Sequence, residues 1–441
     1  MKLLKSLLMA TLIVMMVPLL SFGQEDDQVL KARSGKFALT NAKIYTVTNG
    51  IIENGTLLIS NGIIEAVGAN VNIPADAEVI DCKGKEIYPG MIDSGTRVGL
   101  AEIGSIAEAN DFREHGTLTP QMQALSAVNP NSVVIPVTRV SGITTVWTMP
   151  QGGVLPGTAA AINLFGYTPD QMSAGSKGIV MNFPSSPTGW RARRMNEEQK
   201  KKALERAFKT VNDAWDKAEL YAELEDLSSY PEIEALVPVV KGEMSLFIEV
   251  NAANDILSAL DWVKERGYKK VILTGVSEGW RVAEEIAKSG LPVIAGPVQA
   301  IPTRASDRYD VAYANPGVLQ KAGVKVAIRT MDAENSRNLP YHAGFAASYG
   351  MGREEALKAI TINAAEILGV SDQIGSIEVG KKANVFVSTG DPFETASKIT
   401  DLFIDGYKIP MTSRQIRLYD EFLNRTPGVD KTKPVIDIKK K

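Results

Sequence analysis

Between residues 88 and 369 the chain repeats one pattern, a short apolar β-rich run followed by an amphipathic helical stretch. The β-rich runs fall at 91–93, 143–148, 159–164, 178–183, 245–250, 270–274, 292–295 and 325–330, which makes eight. Helices are expected from Asn196 onward and near 254–266, 280–289, 316–322 and 353–368. Asn196 is a side-chain cap, Glu197 and Glu198 face the positive end of the helix dipole, and Leu204, Phe208, Val211 and Trp215 mark its buried stripe. Strand–helix alternation of this length favours a parallel barrel over an open sheet, although periodicity alone does not separate the two. The run at 159–164 also reads as an excursion beside the second strand.

Both ends of the chain have a different texture. Residues 36–85 are short alternating strands punctuated by Asn49-Gly50, Asn54-Gly55 and Asn61-Gly62, which are hairpin-type turns. Residues 375–387 and 399–406 resume the same style. The two ends are expected to meet in one small β-sandwich, with residues 24–87 giving its first part, 375–441 its second part and tail, and 88–374 the barrel. Cys82, the single cysteine, falls in the alternation around residues 79–82 and reads as a packed side chain.

Residues 1–23 read as a signal peptide. Lys2 and Lys5 form a positive start, Leu7 to Leu20 is apolar but short for a bilayer span, and Ser21-Phe22-Gly23 is a small-x-small cleavage site. The protein is therefore expected to be exported, to a periplasm or the cell exterior, with no integral membrane span once the leader is gone. Losing Lys2 and Lys5 takes the formal charge from −3 to −5. A mildly acidic chain is the wrong sign for nucleic acid, which is not an expected partner. Lys439 to Lys441 read as a solvated tail.

Three segments carry a resemblance. The first is Tyr88-Pro89-Gly90-Met91-Ile92-Asp93-Ser94-Gly95-Thr96-Arg97. The second is Gly142-Ile143-Thr144-Thr145-Val146, with Met149-Pro150-Gln151-Gly152-Gly153 after it. The third runs from Ala356 to Gly369 and continues as Gly375-Ser376-Ile377-Glu378-Val379-Gly380-Lys381-Lys382-Ala383-Asn384. In this order they resemble the amidohydrolase superfamily, which shows PG-[FLM]-ID-x-H-x-H, a GVTTV strand and a closing T-x-NPA-x-x-LG with GS-[IL]-x-x-GK-x-AD. The imidazolonepropionase-like branch is nearest. The resemblance implies a TIM-type (β/α)8 barrel with a composite β-sandwich. It also implies descent from hydrolases of non-peptide carbon–nitrogen bonds that use zinc or a similar divalent ion to make hydroxide near neutral pH.

The same alignment removes the ion's ligands. The two histidines of the first motif fall on Gly95 and Arg97. The histidines of an HAHRADDI-like segment fall on Glu249 and Asn251, and those of a VHGTEGH-like turn on Thr274 and Trp280. The closing TD aspartate falls on Met331, with Asp332 one residue later. Glycine has no side chain, guanidinium has no free lone pair, and the chain holds only two histidines, His115 and His342. No metal and no cofactor is expected, and little metal-dependent activity. Asp332, Glu249 and His342 are the candidate catalytic groups. Arg97, Asn251, Thr274 and Trp280 are the candidate contacts to a small-molecule ligand. Arg97 is expected to pair with at least one of Glu249 and Asp332, replacing the lost metal charge; the competing reading has it hold an anionic ligand. The alternative to a hydrolase is a non-catalytic binding or assembly protein, which admits self-association or association with an active relative.

Two further segments are weighed here. His115 lies with Glu102, Glu108 and Asp111 in the long first loop, and a solvated acidic loop is expected there rather than a metal cluster. The basic, aromatic stretch 185–194 either contacts an anion or closes the loop before the Asn196 helix. There is no Ser-His-Asp constellation with usable context, no phosphate-binding P-loop and no Gly-rich dinucleotide loop.

Overall fold

The computed structural model describes residues 31–187, 192, 194–224 and 230–425, and the described residues from Arg33 onward form one compact unit. The expected leader, the Lys439 to Lys441 tail and part of the 185–194 stretch lie outside the described residues.

The strands divide into two sheets. Five come before the barrel: β1 (Phe37–Tyr45), β2 (Ile51–Ser60), β3 (Ile63–Gly68), β4 (Glu78–Asp81) and β5 (Glu86–Pro89). The barrel strands are β6 (Met91–Thr96), β7 (Ile143–Thr148), β8 (Gly157–Asn163), β9 (Ser173–Asn182), β10 (Ser245–Val250), β11 (Val271–Gly275), β12 (Val293–Ala295) and β13 (Val326–Ile328). Three follow it: β14 (Val385–Ser388), β15 (Ile399–Ile404) and β16 (Tyr407–Ile409). The first sheet runs β16-β15-β14-β5-β1-β2-β3, with β4 beside β1. The chain's two ends meet where β14 pairs antiparallel with β5, Phe386 opposite Tyr88. Phe37, Leu39, Ile44, Leu57, Val385 and Phe403 share one buried cluster, so neither end has a core without the other. Cys82 belongs to that cluster, and burial pushes its thiol up to about 11, which makes it an inert packing group.

One expected turn is not a turn. Asn54-Gly55 lies inside β2, at a register shift opposite Ala42. Asn54 takes a left-handed φ of 52°, and a Cβ on Gly55 would stand 2.8 Å from Ile44 and 2.9 Å from Ile52. The pair forms a bulge, which uses the same left-handed backbone as a hairpin turn and so shows the same sequence signal.

All eight expected barrel strands are present, in the order β6 to β13. The exception to parallel pairing is β8, antiparallel to both β7 and β9. A segment of eight residues, 149–156, joins β7 to β8 in place of a crossover helix. The run doubted in the sequence is thus a full member of the ring, entered from the opposite end. Trp147 and Phe247 fill the interior with ring centroids 4.6 Å apart. A Cβ on Gly178 would stand 2.4 Å from the Phe247 ring, so the glycine makes room for it.

The outer helices that matter below are α1 (Glu197–Glu223), α2 (Ala253–Arg266), α3 (Ala283–Ser289), α4 (Val311–Lys321) and α5 (Leu339–Ala346). Asn196 caps α1 as expected, in a reciprocal pair with Gln199 at 2.8 and 2.9 Å. Val211 and Trp215 bury against the barrel, while Leu204 and Phe208 are half-buried. The expected single helix 353–368 is two, Arg353–Ala359 and Ile362–Ile367, broken at Thr361 with φ −134° and ψ −99°.

No ladder joins β13 to β6 among the described residues. The seam is closed differently. The Met331 amide donates to the Gly95 carbonyl at 2.8 Å, and the Asp93 carboxylate reaches across to accept from the Thr330 amide at 3.0 Å and the Thr330 hydroxyl at 2.5 Å.

Candidate functional site

The mouth of the barrel holds an ion pair. Glu249 is the penultimate residue of β10, and Arg329 follows β13 directly. The two lock in a bidentate contact, Nη1 to Oε2 at 2.6 Å and Nη2 to Oε1 at 2.8 Å. Arg329 is 2% exposed and Glu249 18%. The remaining capacity is also used. Arg329 Nε donates to the Gly296 carbonyl at 3.2 Å, the Thr274 hydroxyl to Glu249 Oε2 at 2.8 Å, and Asn251 Nδ2 to Oε1 at 3.1 Å. Asn251 is itself held by the Ser277 hydroxyl at 2.7 Å. Burial works to raise the Glu249 carboxyl. The Arg329 charge and these hydrogen bonds outweigh burial and hold it below the ordinary carboxylate range.

Two glycines make room for the pair. A Cβ on Gly95 would stand 2.7 Å from Arg329 Cδ, and one on Gly275 would stand 2.6 Å from both Glu249 Oε1 and Asn251 Oδ1. The Arg329 stem therefore occupies the space that a histidine at position 95 would need. The residues at the mouth do not fit a divalent metal. One ligand position is filled by a guanidinium stem, Glu249 has its lone pairs engaged, and a fixed cation stands where a cation would have to sit. Among the described residues no three His, Cys, Asp or Glu side chains gather closely enough to hold an ion.

Asp93 supports the pair from below. It is fully buried and accepts four hydrogen bonds: from Thr330 twice, from the Ser336 hydroxyl at 2.7 Å and from the Gly95 amide at 3.3 Å. It thereby fixes both residues that flank the Arg329 contact. Burial pushes Asp93 up to about 6, with the Thr330 and Ser336 hydrogen bonds pulling the other way.

The expected partner of Glu249 is corrected. Arg329 takes that place, and no ion pair joins Arg97 to Glu249 or Asp332 among the described residues. Arg97 lies one residue past β6, where the chain turns, and its guanidinium rests over the Phe112 ring at 4.8 Å. Its Nε is buried without a partner. Of the candidate catalytic groups, Glu249 is in the ion pair, and Asp332 and His342 are not. Asp332 accepts from the Asn335 amide at 3.0 Å, a local turn contact. His342, buried in α5, accepts the Val298 amide on Nδ1 at 3.1 Å. Burial pushes His342 down to about 4, with the Asp332 charge opposing, so the ring is neutral at neutral pH. Asn251 and Thr274 do join Glu249. Trp280 lies against Arg281, 4.1 Å from guanidinium to ring, with Nε1 buried and unpartnered. The sequence reasoning missed Arg329 and the role of Asp93. Arg329 had a signal: a charge following a fully apolar strand at a barrel mouth requires a partner.

The family profile described as "Amidohydrolase family" matches residues 281–409, and the one described as "NagA composite domain" matches residues 36–87. An imidazolonepropionase of Geobacillus kaustophilus is 26% identical over 386 residues, covering 77% of this chain and 84% of that protein. An imidazolonepropionase of Brevibacillus brevis is 25% identical over 404 residues, covering 78% and 86%. The crystal structure of an amidohydrolase from Thermotoga maritima matches with a TM-score of 0.75 at 26% identity, covering 86% of this chain and all of that one. The second profile covers the N-terminal strands of the composite sheet, and the first covers the last part of the barrel together with β14 to β16. With that architecture and these relatives, the chain is similar to the imidazolonepropionase-like members of the amidohydrolase family.

Proposed function

We propose that this chain is an exported protein, descended from hydrolases of non-peptide carbon–nitrogen bonds, that does not run metal-hydroxide chemistry and serves instead in binding or assembly. One observation carries the reading: Arg329 fills the Gly95 slot and is locked to Glu249 by two hydrogen bonds of 2.6 and 2.8 Å. The pair supplies internally the charge balance that an ion would otherwise give. It also removes the carboxylate lone pairs and the space needed to bind one. Elemental analysis of protein purified without chelator is the test. Zinc, iron and manganese are expected far below one ion per chain, and added zinc is expected to leave the melting temperature unchanged. Near-stoichiometric metal, or hydrolysis of simple amides that a chelator abolishes, would sink the reading.

The binding or assembly role is supported by the same chemistry. A mouth with its charges already paired does not polarise a carbonyl, yet the loops around it are free to recognise a partner. An active relative is the partner this reading favours. Affinity purification of the intact protein from its own cells should then recover another amidohydrolase in fixed ratio, and repeated recovery of the chain alone would count against assembly. The export part rests on the leader at residues 1–23. Intact-mass measurement should give a mature chain beginning at Gln24, and a retained leader would reject it.

A further inference from the structure

We propose that the last helix of the chain anchors this protein to the surface of a bilayer bearing anionic lipid. Helix α6 (Arg414–Asn424) begins where the buried Ser413 caps it, Oγ accepting from the Ile416 amide at 3.2 Å. It rests on the short helix Val134–Arg139. Ile416, Leu418, Tyr419, Phe422 and Leu423 recur at three- and four-residue spacings and form one apolar face, interrupted by Gln415. Arg414, Arg417, Asp420, Glu421 and Asn424 fall on the other side. An amphipathic helix on a globular protein ordinarily turns its apolar face to the core. Here no residue of the helix is buried, and the two rings, Tyr419 and Phe422, are 59% and 54% exposed.

Charge selects the occupant of that face. Residues 414–441 carry eight Lys and Arg against four Asp and Glu, a formal +4. The chain without its leader carries −5, so residues 24–413 carry −9. The acidic body and the basic end are thus segregated, and Lys439 to Lys441 close the basic end. An apolar helical face joined to basic charge is complementary to an anionic bilayer: the face enters the boundary between headgroups and acyl chains, and the cations meet the phosphates. Arg414 and Arg417 stand in the first four residues of α6, where the helix dipole disfavours cations, and no acid accompanies them in the first turn. No ion pair among the described residues involves either one. Lipid phosphates would supply the missing counter-charge. A second copy of the chain fits less well, because a helix face of about 16 Å by 10 Å falls far short of the roughly 800 Å2 per partner that a stable protein interface buries. At 11 residues the helix lies on a bilayer and does not cross one.

Vesicles of phosphatidylglycerol and phosphatidylcholine in equal parts, set against vesicles of phosphatidylcholine alone, test this directly. The chain from Gln24 to Lys441 is used, so that the apolar leader cannot account for binding. It is expected to sediment with the anionic vesicles, to leave the neutral ones in suspension without it, and to bind the anionic ones more weakly at about 0.5 M salt. Tyr419→Ser with Phe422→Ser removes the rings, and changing Lys439, Lys440 and Lys441 to Gln removes charge. Each set should weaken binding to the anionic vesicles by about tenfold or more. The ring variant should keep the wild-type melting temperature, because both side chains are exposed. If it does not, the lysine variant still decides the charge part. Absence of sedimentation with anionic vesicles overturns the proposal, and so does binding that both variants retain in full. A chain that ignores vesicles and forms a dimer that the ring variant abolishes, read by sedimentation velocity, assigns the face to a second copy instead.

Discussion

Replacing Arg329 by methionine is expected to lower stability by about 3–5 kcal/mol, the usual effect of removing one partner from a buried pair. Methionine keeps much of the stem's volume beside Gly95, so the loss reports charge rather than a cavity. Glu249 would retain only its bonds from Thr274 and Asn251. The pH dependence carries a sign. In the wild type Glu249 is held below the ordinary range, so its contribution is present above the unfolded carboxylate range and fades as pH falls. In the variant burial outweighs the two hydrogen bonds that remain, and the folded-state value rises. Stability is then greatest at low pH and is lost as pH climbs. The deficit measured by urea unfolding should therefore be larger at about pH 8 than at about pH 5. Removing both charges, with Glu249→Leu added, should recover a large part of the loss. A small deficit that does not change with pH would show that the pair is not the compensated unit described here.

Asp93→Ala should cost a similar amount, about 3–5 kcal/mol, because it strands several buried donors at once and unfastens the seam between β6 and β13. Asp93→Asn is the gentler and more informative change, since an amide can still accept from the backbone while the two hydroxyls turn to accept from it. Asp93 sits at about 6 in the folded chain against an ordinary 3.8. Its contribution is fully present below the lower value and is lost as pH rises through the higher one. His342 works in the opposite sense. Its folded value is about 4 against an ordinary 6.5, so stability is lost as pH falls across that range. The two oppose each other over nearly the same window, which flattens the wild-type profile between about pH 4 and pH 6. With Asp93→Asn only His342 remains of the two, and stability should climb steeply with pH through that window. A variant profile parallel to the wild type would refute the assignment.

The fold was legible where local pattern determines structure. Each apolar run became a strand, because a strand buried in a ring is apolar on both faces and is bounded by turns. The Asn196 cap and the Val211 and Trp215 stripe were legible for the same reason. Strand direction was not. The run ending at Asn163 reads the same in either direction, and only the absence of room for a helix between residues 149 and 156 hinted that β8 is antiparallel. At the site the sequence pointed to Glu249 and to the need for a compensating cation, since carboxylates at a barrel mouth cannot stay unpaired. It chose the wrong arginine. Arg97 and Arg329 both lie past strand ends, and which one points inward depends on where β6 stops and the chain turns. That is a tertiary fact. Gly95 was read as a lost ligand, and its second meaning, room for a neighbouring stem, required the neighbour to be placed.

The reversed strand also changes how the ring closes. From β7 to β9 the chain doubles back twice, and Thr145 meets Asn163 only 18 residues away. Asp93 and Thr330, at the seam, meet across 237 residues. Loop-closure entropy grows with the logarithm of that separation, so the seam contact costs roughly 2 kcal/mol more to close than the hairpin contact. The meander can assemble from local encounters. The seam must wait for the rest of the ring to bring its ends together, and a buried carboxylate and one backbone hydrogen bond hold them once they meet.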